Sequence, residues 1–242
     1  MTTALRVDRF VVSMGRVERS GLHSLSIATL AHTVKNPMRK SIRIRKRSGL
    51  HAIVLAAGAS RRYGSPKQLA SYRGETLLAR SVRLAHEAGA GTVFVVLGYR
   101  AQAMRRALQQ GRVPPSGTTI VRNARWRDGM GRSLACGARS LDRRARAVLV
   151  CLADQPLLEA ADLVALVRVW RASPRSVVAS RYAGKPGVPA IFPRSQFDAL
   201  KSLSGDRGAR VLLASSNDVL SVPVPLAAVD IDDPRELRNL PS

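Results

Sequence analysis

Three charged side chains, Arg62, Lys67 and Asp154, stand in sequence contexts that suit phosphate chemistry. Arg62 and Lys67 belong to Ile53-Val-Leu-Ala-Ala-Gly-Ala-Ser-Arg-Arg-Tyr-Gly-Ser-Pro-Lys-Gln-Leu69, in which an apolar run ends in a turn carrying Gly58 and Gly64. Glycines let a backbone approach a ligand closely and aim successive N–H groups at phosphate oxygens. The two cations supply the charge that a triphosphate and a departing pyrophosphate require. The loop carries neither Gly-Lys-Ser/Thr nor Gly-x-Gly-x-x-Gly, which excludes the Walker and dinucleotide-binding loops. Asp154 ends the apolar run of Val148-Leu-Val-Cys-Leu-Ala-Asp-Gln-Pro156. A carboxylate at the end of a buried strand can hold Mg²⁺ against a triphosphate, or it can cap the next helix.

Three later stretches carry further candidates. In Asn123-Ala-Arg-Trp-Arg-Asp-Gly-Met-Gly-Arg-Ser-Leu134, Ser133 falls in the first turn of a predicted helix, where backbone N–H groups lack intrahelical partners. Gly205-Asp-Arg-Gly-Ala-Arg210 is a glycine loop that could grip an acceptor phosphate or cap the helix after it. Val229-Asp-Ile-Asp-Asp-Pro-Arg-Glu-Leu237 reads as a short strand followed by a helix from Pro234. Asp230 or Asp232 could supply a second metal ligand there, and either could instead be the helix N-cap.

These residues need a frame. Short apolar runs at 53–57, 93–97, 148–153, 177–179 and 188–192 alternate with helical patterns at 75–88, 101–109, 131–141 and 160–170. Several runs are apolar without alternation, as in strands buried on both faces of a parallel sheet. The pattern predicts an α/β fold: a single doubly wound, mostly parallel sheet with helices on both faces. Ligands in such folds bind at the carboxyl ends of the strands.

The pattern Leu-Ala-Ala-Gly-x-Ser-x-Arg-x-Gly-x-Pro-Lys resembles the signature of the MobA-like nucleotidyltransferases. Within them it is most similar to the molybdenum cofactor cytidylyltransferase branch, over about residues 51–240. The resemblance implies that Leu55, Ala56, Ala57, Gly58 and Ser60 contact the nucleotide, and that Arg62 and Lys67 bind its phosphates. Ser133 would help recognise base and ribose. Asp154, with Asp232 or Asp230, would hold Mg²⁺. Gly187 in Gly184-Lys-Pro-Gly-Val-Pro-Ala-Ile-Phe192, together with Asp206 and Arg210, would face the acceptor; the family commonly has His where this chain has Val188. The implied reaction transfers CMP from CTP, or NMP from another NTP, to a molybdenum-pterin or another phosphorylated small molecule. A molybdoenzyme client is a further implied partner.

Such transfers need positioning and charge neutralisation rather than a covalent nucleophile. Accordingly there is no Gly-x-Ser-x-Gly elbow, and His23, His32, His51 and His86 lack metal-ligand spacing. Methylerythritol-phosphate cytidylyltransferases share Pro-Lys-Gln, but this chain has Ala-Asp-Gln-Pro where they have an Asp-Ala-Arg-Pro segment. Sugar-1-phosphate nucleotidyltransferases usually add a C-terminal domain for which the chain has no room. A non-catalytic nucleotide-binding accessory protein is the alternative from another class; it would not need both Asp154 and Lys67.

Composition narrows the rest. Lys plus Arg number 40 against 16 Asp plus Glu, a net charge of +24, yet the arginines are scattered and aromatics make up only 4%. That distribution lacks the stacking platforms of a single-stranded nucleic-acid binder. No apolar run approaches the length of a membrane span. Cys136 and Cys151 are too few for a disulfide framework, which points to a reducing, cytoplasmic setting. Residues 1–48 hold eleven Lys or Arg against Asp8 and Glu18, and read as a disordered basic tail, a composition that transit peptides share. Residues 49–242 form the predicted nucleotidyltransferase domain.

Overall fold

Leu50–Ala56 form β1, a strand buried along its whole length. Its pleat divides the molecule. Leu50, Ala52, Val54 and Ala56 enter one core, while Ile53 and Leu55 enter the other. The computed structural model describes residues 49–110, 116–216 and 218–241. The expectation for residues 1–48 lies outside the described residues.

After β1 come a short ribbon of β2 (Ser71–Tyr72) and β3 (Glu75–Thr76), then α1 (Leu77–Glu87), β4 (Thr92–Leu97) and α2 (Ala101–Gln110). Next are β5 (Thr118–Arg122), α3 (Met130–Arg139), β6 (Ala147–Leu152) and α4 (Ala160–Ala172). The chain continues through β7 (Val177–Tyr182), β8 (Lys185–Pro193), α5 (Phe197–Ser202), α6 (Arg210–Ser215), β9 (Val219–Pro223) and α7 (Pro234–Arg238).

Seven strands form one sheet in the order β5-β4-β1-β6-β8-β7-β9. β1 pairs in parallel with both β4 and β6, and only β8 runs against its neighbours. Side chains of α1, α2 and α4, such as Val82, Met104 and Leu166, pack on one face. Those of α3, α5 and α6, such as Leu134, Leu200 and Leu213, pack on the other. This is the expected doubly wound, mostly parallel sheet. From β1 the chain crosses outward to β4, and from β5 it returns to β6 on the other side. The strand order therefore switches between β1 and β6, which places the ligand crevice at their carboxyl ends.

Local chemistry sets the boundaries. The Thr76 hydroxyl accepts from the Ala79 N–H and caps α1, and Glu159 with Asp162 makes a capping box on α4. The expected short strand at 229–231 does not form. Ile231 instead donates its N–H to the Asp154 carbonyl at 3.0 Å and packs with Tyr72 and Leu77 in a small third core. The cap of α7 is neither Asp230 nor Asp232 but Asp233, in a capping box with Glu236 and with Pro234 at the first helical position. β8 is central yet contains Pro186, Pro189 and Pro193. Its pairing with β7 shifts register at Ala179/Ser180, and the irregularity accommodates the prolines.

Both large cores and all seven strands of the main sheet lie within residues 50–227. A chain starting at Ser48 is therefore expected to fold and to retain nucleotidyl transfer. Circular dichroism and pyrophosphate release would check this, and an unfolded or inactive truncation would contradict it.

Candidate active site

At the carboxyl end of β1 the chain turns through a loop organised by Ser60. Ser60 has φ 51°, and its carbonyl accepts the N–H groups of Tyr63 and Gly64 at 3.0 and 3.2 Å. Its hydroxyl accepts from the Lys67 N–H at 3.2 Å and donates to Gln68 Oε1 at 3.3 Å. The Gln68 amide closes the ring by donating to the Gly58 carbonyl at 3.4 Å. Gly64, at φ 77°, makes the second reversal where a side chain would be strained. The loop thus delivers Lys67 back beneath the end of β1. Leu55, Ala56 and Ala57 form that strand end; the Leu55 carbonyl accepts from Ala153 N and the Ala57 carbonyl from Tyr99 N.

Lys67 is the hub. Its buried ammonium lies 2.8 Å from Asp154 Oδ2 and 2.8 Å from Asp232 Oδ1. Arg62, largely exposed, reaches Asp232 Oδ2 at 2.9 Å. Residues from three separate segments thus converge on one point between β1 and β6. Burial works against the Lys67 charge, but Asp154 and Asp232 outweigh it and hold its pKa above the ordinary lysine value. The hydrogen bond from Lys67, aided by the charge of Arg62, holds Asp232 below the ordinary carboxylate value despite some burial. Asp230 behaves in the opposite way: burial first, then the charge of Asp154, raise its pKa.

The segment after β6 is cross-linked to several distant parts of the chain. Ala153 and Ile231 bond across it, as described. Gln155, buried, donates to the carbonyls of Val188 at 3.1 Å and Ala227 at 2.7 Å. The β8 irregularity would otherwise strand the Val188 and Pro189 carbonyls; Ser180 donates to that of Pro189, and the Tyr182 hydroxyl shares that of Val188. Gly187 leaves room for that phenol, because a Cβ there would stand 2.3 Å from the Tyr182 hydroxyl. Burial raises the Tyr182 pKa, opposed by Arg210 and reinforced by Asp230 and Asp154, so these groups share one electrostatic neighbourhood.

Not every expected residue joins this point. Ser133 is buried, and its hydroxyl accepts from Asn123 Nδ2 at 3.0 Å. Asn123 in turn accepts the Arg125 N–H at 3.0 Å, so Ser133 props the turn before α3. Asp206 lies in a loop that docks on the start of α3, where the Gly131 N–H donates to the Gly205 carbonyl at 2.7 Å. Gly129, at φ 100°, would place a Cβ within 2.5 Å of Asp206 Oδ1. Gln68, Gln155 and Tyr182 also belong to the site. The first two lie inside the glycine-loop and Ala-Asp-Gln-Pro motifs, yet nothing local marks an amide as a cross-link to a distant carbonyl.

The carboxylates suit a hard cation. Asp154 Oδ1 is buried with no hydrogen-bond partner, an orphan acceptor beside an ammonium already shared with Asp232. No group of three or more His, Cys, Asp or Glu converges among the described residues. Two carboxylates of this kind fit a divalent cation that takes its remaining ligands from phosphates and water.

Comparison with known proteins agrees with this geometry. Residues 52–219 match the MobA-like NTP transferase domain. The chain is 35% identical over 170 residues to nicotine blue oxidoreductase of Paenarthrobacter nicotinovorans, across 66% of this chain and 79% of that protein. It is 30% identical over 200 residues to the purine catabolism protein PucB of Bacillus subtilis, across 77% and 93%. A probable molybdenum cofactor guanylyltransferase of Opitutus terrae is 34% identical over 152 residues, across 60% and 67%. Among solved structures, Rv0371c of Mycobacterium tuberculosis aligns with a TM-score of 0.66 at 32% identity, covering 78% of this chain and 95% of its own. Rv0371c has also been solved in complex with manganese. The matched segment contains the glycine loop, Lys67 and Asp154, and the chain belongs to the MobA-like NTP transferase family as a nucleotidyltransferase.

Proposed function

We propose that this nucleotidyltransferase transfers CMP from CTP to a phosphorylated small molecule, a molybdenum-pterin, in the cytoplasm with Mg²⁺. The observation that carries the reading is the convergence of Lys67, Asp154 and Asp232 on one point at the carboxyl ends of β1 and β6. Asp154 and Asp232 would hold the metal, which neutralises charge on the triphosphate when bound. Manganese in the Rv0371c complex supports a divalent ion. Asp232 is preferred to Asp230 because it, and not Asp230, is bonded to both Lys67 and Arg62.

In the reaction, an acceptor phosphate oxygen bonds to the α-phosphorus of the NTP. The bond to the bridging α,β-oxygen breaks, and pyrophosphate leaves. Lys67 and Arg62 are placed to take phosphate oxygens in exchange for their present carboxylates, since both are anionic acceptors. The loop of Gly58 and Ser60 brings backbone close to the nucleotide, and Ser133 fixes the turn that would flank its base. Gly187, Asp206 and Arg210 would face the acceptor, with Arg210 available to its phosphate.

Base choice is the finest part of this reading, and it rests on the resemblance of the glycine loop to the cytidylyl branch. CTP is expected to support faster pyrophosphate release than GTP, ATP or UTP when each is supplied with Mg²⁺ and molybdenum-pterin. A clear GTP preference would move the protein to the guanylyl branch, to which its Opitutus terrae relative is assigned by name.

A further inference from the structure

Arg80 is a buried guanidinium, 5% exposed, on α1. Its Nε donates to the Pro156 carbonyl at 2.9 Å, and its Nη2 donates to the Leu158 carbonyl at 2.8 Å and to Glu159 at 2.8 Å. Nη1 reaches Glu75 at 3.3 Å, and the group lies 5.7 Å from the Tyr72 ring centre. The adjacent Ser81 hydroxyl shares its one proton between the Leu77 carbonyl at 3.0 Å, within α1, and the Leu152 carbonyl at 3.3 Å. Consecutive residues of α1 therefore hold the carbonyls two positions before and two positions after Asp154.

Stability alone does not call for a guanidinium here, because buried ion pairs are often replaced by apolar side chains without loss. The demand comes from the segment that follows Asp154. It leaves the sheet before α4 begins, so no strand or helix ladder satisfies its carbonyls. A planar group with five donors fixes two of those carbonyls and an acidic side chain in one arrangement, which a single-point donor cannot.

We infer that Arg80, assisted by Ser81, is a positioning residue that sets the Asp154 carboxylate for metal binding. The inference rests on Asp154 as a metal ligand, and the experiment separates the two. Mn²⁺ binding to the CTP-loaded protein is measured by calorimetry for wild type, Asp154→Asn, Arg80→Ala, Arg80→Lys and Ser81→Ala. CTP binding in EDTA and circular dichroism serve as controls. Losing a group bonded directly to a metal ligand typically weakens metal affinity about 10–100-fold; Arg80 acts through the backbone after Asp154, so a loss at the lower end, about 10-fold, is expected for Arg80→Ala with CTP binding in EDTA unchanged. Arg80→Lys keeps the buried charge but cannot hold both carbonyls, so a smaller loss in the same direction is expected. Ser81→Ala should show the smallest. If Asp154→Asn weakens Mn²⁺ binding but the folded Arg80 variants match wild type, the inference about Arg80 fails alone. If Asp154→Asn leaves Mn²⁺ affinity unchanged, the metal assignment fails and this inference with it. A loss in CTP binding equal to the loss in Mn²⁺ binding would reduce Arg80 to general support of the fold and overturn its positioning role. Should Arg80→Ala not fold, Arg80→Lys and Ser81→Ala decide, and wild-type Mn²⁺ affinity in both overturns the inference.

Discussion

Asp154→Asn is expected to lower pyrophosphate release by roughly 10²–10³-fold, the typical loss when one preorganised electrostatic group is removed. Asparagine keeps the outline of the side chain and removes its charge. The fold is expected to survive for a specific reason: Lys67 retains Asp232 at 2.8 Å, so its buried ammonium is not left unpaired. The Asp154 backbone carbonyl also keeps its bond from Ile231, which does not involve the side chain. Weak metal binding is the main defect, so high Mg²⁺ should recover part of the rate. A Mg²⁺ titration of steady-state pyrophosphate release, with circular dichroism as the fold control, reads both effects. Near wild-type turnover would remove Asp154 from the metal site.

Lys67→Ala is expected to lose turnover on the same scale, about 10²–10³-fold, and to respond to metal in the opposite way. The loop should persist, because the bond to the Ser60 hydroxyl comes from the backbone N–H of residue 67. What disappears is the cation that neutralises the departing pyrophosphate, and added Mg²⁺ does not restore a charge fixed on the protein. Removing the ammonium also leaves Asp154 and Asp232 facing one another without it. Mn²⁺ should therefore bind the nucleotide-free variant more tightly than it binds wild type, even as catalysis falls. Recovery of turnover at high Mg²⁺, or no gain in Mn²⁺ affinity, would contradict the placement of Lys67 as hub.

The two variants probe residues that the sequence marks clearly, and the reason is local. Short apolar runs mark five of the strands, including β1 and β6, whose ends carry the glycine loop and Asp154. Buried strands leave strong compositional traces, and a glycine-rich turn after such a strand has few structural explanations. Three features were less legible. The amphipathic edge strand β9 and the short helices α5 and α6 carry too few residues for a clear period. The segment at 229–231 reads as a strand because Val229 and Ile231 alternate with aspartates, but Ile231 bonds to the Asp154 carbonyl rather than to a strand. Arg80 and Gln155 depend on carbonyls 33 to 78 residues away in the chain. Arg80 does sit within the apolar face of α1, between Leu77 and Leu84, a place where a solvated arginine does not belong.

The central claim is that the site joins a nucleoside monophosphate to an acceptor with loss of pyrophosphate. The most direct measurement follows CTP labelled at its α-phosphorus, incubated with the protein, Mg²⁺ and molybdenum-pterin. The predicted result is that label appears on the pterin while the released pyrophosphate is unlabelled, and that Asp154→Asn slows both together. Label remaining in CTP, or appearing as free CMP at the same rate with and without the pterin, would contradict nucleotidyl transfer to this acceptor.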